Sequence, residues 1–150
     1  MLQNNNCLFI LNFLFNYLFN LIFFVFPFLY QRAILIDPTQ PDAWKRRGQI
    51  KQAKGLHKDA GQDFSRAIEL GGDGETYVQR ANVYYQSRHF KLALVDLIEV
   101  TRRGGGTEDK TINMAVVYNQ LGMVHAQLGN ISESIQSYET ALSINPKCVF

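Results

Sequence analysis

One spacing constrains this chain more than any other feature. An aromatic residue is followed four positions later by a small one, a second small one twelve beyond, a bulky apolar residue four further, and a small or apolar one after three more. Trp44, Gly48, Ala60, Phe64 and Ala67 set the frame, and Tyr77, Ala81, Ala93, Leu97 and Val100 repeat it with every position displaced by 33. Tyr118, Gly122, Ser134, Tyr138 and Ala141 keep the internal spacing 41 residues further on, the excess falling in GGGTEDK from Gly104 to Lys110. A period of this length builds a chain from units that each leave one apolar face uncovered, so that stacking supplies the stability and about three units are the usual minimum. Small residues at two heights of each unit let paired helices approach closely, while the larger ones fill the spaces around them. The expectation is an all-α fold, an α-solenoid of antiparallel helix pairs with units at 41–73, 74–103 and 111–147 and a tail at 148–150. The glycine-rich stretch 104–110 reads as an insertion between units or an extension of the next helix.

Closed by Pro146 in its third copy, this frame resembles the tetratricopeptide repeat, a helix-turn-helix unit of about 34 residues. The resemblance covers nearly everything from Arg32 to Pro146. Arg47 and Arg80 depart from it, standing where the family usually has an apolar residue, whereas Leu121 matches. Lys51 and His125 replace the tyrosine that Tyr84 supplies, and Gly72 replaces the closing proline of the first unit. These departures leave the fold intact and predict weaker first and second units. The resemblance implies a scaffold that binds a peptide or partner protein in a groove lined by the first helix of each pair, in the cytoplasm or nucleus, with no catalysis. On that reading Lys45, Gln49, Asn82, Tyr85, Asn119 and Met123 face the groove. A carboxylate clamp for chaperone C-terminal tails, known in some family members, would fall on Lys45, Gln49 and Asn82, but its two remaining cations fall on Val116 and Gln120. Such tails are disfavoured ligands.

The first 30 residues are a different kind of sequence. All 28 charged side chains lie at or after Arg32, while 8 of the 11 phenylalanines lie before it. Cys7–Tyr30 is uncharged and as a helix would rise about 36 Å, long enough to span a bilayer. Pro27 would break or kink such a helix near its end. The first cations afterwards, Arg32 and Lys45–Arg47, would place the repeats in the cytoplasm, giving a membrane-anchored receptor as the alternative function. Asn12, Asn16 and Asn20 would form one polar stripe on the helix, yet the Phe/Leu/Asn vocabulary reads equally as low-complexity sequence. Residues 31–40 look like the last turns of an upstream second helix, because Tyr30 and Ala33 stand to Pro38 as Tyr138 and Ala141 stand to Pro146. The array therefore reads as a piece of a longer one, with the regulatory arm of a larger protein as a further alternative, and with residues 1–30 either an anchor or non-native coding sequence, the second being favoured.

No catalytic constellation is found. A net charge of +2 is far from the dense basic surface of a nucleic-acid binder. Cys7 and Cys148 offer neither a disulfide framework nor zinc-ligand spacing. His57, His89 and His125 belong to no metal or catalytic motif, and His57 and His89 fall in turns where exposure is the default. No metal and no cofactor are expected. Asp59 and Asp63 read as a solvated charged face. Lys45, Arg46, Arg47, Lys51 and Lys54 read first as a coat on the exposed side of their helix and second, through Lys45, as part of the groove.

Overall fold

A computed structural model describes residues 25–104 and 112–146, together with Leu14, Tyr17 and Leu18. Seven helices follow one another from Phe26: α1 (Phe26–Ile36), α2 (Pro41–Ala53), α3 (His57–Glu69), α4 (Gly74–Gln86), α5 (Phe90–Gly104), α6 (Met114–Leu128) and α7 (Ile131–Ile144). There is no strand among the described residues. Each helix packs on the next in sequence, and α2 also touches α4. This is the all-helical solenoid that the 33-residue spacing demands, with α2/α3, α4/α5 and α6/α7 as the pairs.

The frame residues are where the helices meet. Ala60, Ala81, Ala93 and Ala141 are buried, as are Gly48, Gly122 and Ser134, and Phe64, Ala67, Leu97 and Val100 are sealed from solvent. Trp44, Tyr77, Tyr118 and Tyr138 fill gaps from the edge and stay half-exposed, while Pro146 is exposed. Within each pair the small residue is matched in size to its partner. A Cβ on Gly48 would stand 2.9 Å from the Phe64 ring, and one on Gly122 would stand 2.6 Å from the Tyr138 ring. In the middle pair the first helix carries Ala81, and the residue opposite shrinks to Leu97, the two sharing one core with Val100, Val117, Leu121 and Val124.

The ends of the helices follow from local chemistry. Asp73 accepts the Thr76 N–H at 2.9 Å and caps α4, and Asn113 accepts the Ala115 N–H at 3.1 Å and caps α6. Gly72, in the place of the closing proline, donates its N–H to the Ala67 carbonyl at 2.9 Å, and a side chain there would meet that carbonyl at 2.8 Å. The turn is too tight for proline, which also lacks the N–H.

At the amino end, Pro27 does not interrupt the described helix. It stands in the first turn of α1, where its fixed φ and missing N–H cost nothing. α1 packs on α2 as α3 packs on α4, and the Trp44 indole N–H donates to the Pro38 carbonyl at 3.0 Å across the turn between them. The expected apolar span at 7–30 lies mostly outside the described residues, among which no helix is long and apolar enough to cross a membrane. Of the 104–110 insertion, Gly104 ends α5 and the remainder lies outside the described residues.

Candidate functional site

First helices α2, α4 and α6 stand side by side, and the surface they share is built from residues one turn apart on each. Asn82 and Tyr85 of α4 and Met123 of α6 line a hollow of about 110 Å³, floored by Ala81, Leu97 and Val124. Gln120, which the spacing argument did not place there, completes it by donating its amide N–H to the Asn82 carbonyl oxygen at 3.0 Å. The Tyr85 ring is held edge-on against Phe90, centroids 5.4 Å apart. Two acceptors, the carbonyl oxygens of Asn119 and Gln120, are buried without a partner. Gln49, further along, is half-buried and accepts from the exposed Arg46 at 3.3 Å, and Gln52 meets Gln86 at 3.5 Å across the α2–α4 seam. The hollow thus offers amides, a phenol ring and a thioether, and no charge.

Lys45 does not belong to that surface as a free cation. It is only 6% exposed, and its ammonium lies 2.8 Å from Asp73 and 2.5 Å from Glu75 at the start of α4. Burial pulls the ammonium's pKa down, but the hydrogen bonds to Asp73 and Glu75 outweigh it and leave it raised. Burial likewise pushes Asp73 up, and hydrogen bonds from Lys45 and Thr76 bring it below the usual carboxylate range. Asp73 therefore caps α4 and anchors α2 to it at once.

Arg46 is exposed as expected, but Arg47 and Lys51 are corrected in the same way. Arg47 does not coat the surface: it grips Asp63 of α3 with two hydrogen bonds, 2.8 and 2.6 Å, and Lys51 adds a contact at 2.9 Å to the same carboxylate. Asp63 is 2% exposed, not part of a solvated face as its neighbour Asp59 is. One repeat on, Arg80 grips Asp96 at 2.8 and 2.7 Å, and Asp96 is also 2% exposed. Burial lowers the Arg80 pKa and the bond to Asp96 more than restores it. Each guanidinium also lies over an aromatic ring of its own helix, Arg47 at 4.9 Å from Trp44 and Arg80 at 5.7 Å from both Tyr77 and Tyr84. Each uses its third arm to reach back to the preceding second helix, Arg47 to Gln31 and Arg80 to Ser65 at 3.0 Å. The two residues that departed from the apolar pattern are thus the centre of a repeated three-helix joint. The missed signal was Asp63 and Asp96, each 16 residues after its arginine.

Among the described residues no three His, Cys, Asp or Glu side chains could hold a metal ion. His57 begins α3 half-buried, its Nδ1 without a partner, a correction to the exposure expected of it, while His89 is exposed.

The tetratricopeptide repeat family model matches residues 115–148, which hold α6 and α7. The chain is similar to tetratricopeptide-repeat proteins in that segment and in its fold. It is 26% identical over 115 residues to Tetratricopeptide repeat protein 13 of Homo sapiens, an alignment covering 77% of this chain and 13% of the relative. Among solved structures, MamA superposes with a TM-score of 0.68 at 22% identity, covering 78% of this chain and 65% of that one. A MamA double mutant superposes at 0.71 with 16% identity, over 80% and 64% of the two chains. The repeat array therefore spans a small part of its human relative's length and just under two thirds of MamA's. The solved structures share its fold; at these identities they carry nothing further.

Proposed function

We propose that this repeat array is a protein–protein interaction scaffold, without catalysis of its own, that binds an extended or helical peptide of a partner across its first helices. The observation that carries the reading is the uncharged hollow of Asn82, Tyr85, Gln120 and Met123, where amide groups and apolar side chains stand within reach of one another. A peptide supplies both a hydrogen-bonding main chain and apolar side chains, and several modest contacts of this kind give micromolar affinity, about 8 kcal/mol. Because Lys45 is already neutralised by Asp73 and Glu75, the groove lacks the cation that an acidic chaperone tail would require. The absence of a disulfide framework suits a cytoplasmic or nuclear setting.

A peptide array probed with the chain and with a Tyr85→Ala/Met123→Ala variant tests this. The peptides retained should be predominantly uncharged, should bind with little dependence on salt, and should lose at least about tenfold in affinity for the variant. Retention of the same peptides by both proteins would remove the groove from consideration.

A further inference from the structure

A wider hollow lies on the other side, where second helices α3 and α5 straddle the end of α4. It encloses about 640 Å³, floored by Val83 and Tyr84 and walled by Gly61 and Ser65 of α3 and by Leu92 of α5. Gly61 opens it. The same repeat position is occupied by Leu94 in the second unit and Ile135 in the third, and a Cβ at Gly61 would meet nothing closer than Val83 at 3.6 Å, an ordinary contact. The notch is therefore a gap that the fold does not require.

Lys58, Arg66 and the imidazoles of His57 and His89 rim it, and the single carboxylate among the lining residues, Glu69, is paired with Arg66 at 2.8 Å, which leaves the positive charge of Lys58 in excess. A second cleft of about 350 Å³ shares His89 and Leu92 with the first and adds Phe90, Lys91, Leu128 and Arg88, with no acid in its lining. Arg88 is an outlier in its own right, with φ of 60° in the α4–α5 turn. At the equivalent turns of the first and third units the left-handed residue is glycine, Gly55 at 75° and Gly129 at 78°. A side chain at such a φ is strained where glycine is not. Arg88 thus sets a cation beside an apolar cleft at a turn where the other two units have glycine.

We propose that the cleft between α3 and α5 is a docking site for an acidic, amphipathic segment of a partner protein. Apolar residues of the segment fill the notch at Gly61 and cover Leu92, and its carboxylates meet Lys58, His89 and Arg88. The site is separate from the uncharged groove of the first helices, so one array engages two segments of opposite character.

The test is a displayed library of random peptides of about 13 residues, the length of α3, panned on the full chain, with clones that also bind a Gly61→Leu variant removed. The surviving peptides should carry net negative charge with apolar residues three or four apart. They should lose about tenfold or more on Arg88→Gly, and lose nothing on Tyr85→Ala/Met123→Ala. Arg88→Gly should at the same time raise Tm by about 2–4 °C, because it relieves the turn, so affinity and stability move in opposite directions. Failure of the Tyr85/Met123 experiment would leave this result standing, since the two surfaces share no residue. Survivors that are neutral or basic, survivors indifferent to Arg88→Gly, or no survivors at all would overturn the proposal. So would a Gly61→Leu variant whose only effect is a changed oligomeric state on sedimentation, which would assign the cleft to a second copy of the chain.

Discussion

The first two repeats and the third solve one packing problem with opposite chemistry. Where Arg47 grips Asp63 and Arg80 grips Asp96, the third repeat has Leu121 and Ser137. Arginine and aspartate are thus absent together. Leu121 joins the apolar core, and the Ser137 hydroxyl turns back to the Glu133 carbonyl at 2.7 Å. The paired loss is what physics requires, because a guanidinium or a carboxylate stranded alone in a helix interface costs far more than the pair contributes. What the first two repeats gain is direction: their guanidiniums also reach the preceding second helix, which a leucine does not do.

Breaking one member of a pair should give the largest effect. Asp63→Ala strands both Arg47 and Lys51 and should cost about 4 kcal/mol, and Asp96→Ala, which strands Arg80 alone, about 3 kcal/mol, by urea unfolding. Ser137→Ala at the same position of the third repeat should stay within about 0.5 kcal/mol. Importing the third repeat's solution whole, as Arg80→Leu/Asp96→Ser, should cost less than about 1 kcal/mol. If the double variant is as unstable as Asp96→Ala, the two chemistries are not interchangeable.

The glycine pairs come next. Gly48→Ala presses on the sealed Phe64 ring and should cost about 2 kcal/mol, whereas Gly122→Ala presses on a half-exposed ring, that of Tyr138, and should cost about 1 kcal/mol or less. Equal losses in thermal melts would mean that exposure of the ring does not set the cost.

Lys45→Met sharpens the contrast through pH, and should cost about 1 kcal/mol near neutrality, since both partner carboxylates are half in water. The folded pKa of Asp73 is lowered from 3.8, so its share is present above that value and lost as pH falls through the folded pKa. The folded pKa of Lys45 is raised from 10.5, so its share is complete below that value and lost as pH rises through the folded pKa. The difference between wild type and variant should be flat from about pH 5 to pH 9 and shrink on both sides. A difference that peaks within that window would point to other groups.

Smallest of all is Glu99, which Arg102 and Arg103 hold down to about 2 on the open surface of α5. Glu99→Gln should leave Tm unchanged within error, because its arginine partners are exposed and the pairs lie at the solvent surface.

The stacking was legible in the sequence because close approach admits few residue types. Glycine or alanine at 48, 81 and 122, at a fixed distance from a second small residue, leaves helix pairs as the economical solution. The polar interior was not legible, since an isolated charge in a helix normally faces water, and only Asp63 and Asp96, at matched distances from Arg47 and Arg80, betray the exception. For the groove, repeat position brought Asn82, Tyr85 and Met123 to one hollow. Lys45 escaped because its partners, Asp73 and Glu75, lie at the start of α4, a contact set by superhelical stacking and invisible to intrahelical spacing. Gln120 escaped for a similar reason: it enters by bonding across to Asn82.

An arginine that holds its own repeat's aspartate and the previous repeat's side chain makes the natural unit of exchange three helices long. Shuffling such an array at the boundaries of its 33-residue period would sever Arg80 from Ser65 at every junction. Recombination anywhere between Ser65 and Arg80 would leave the incoming arginine dependent on whatever acceptor the retained second helix offers at the Ser65 position. An array of this kind is cut with least loss before the third repeat, where Leu121 stands in the arginine's place.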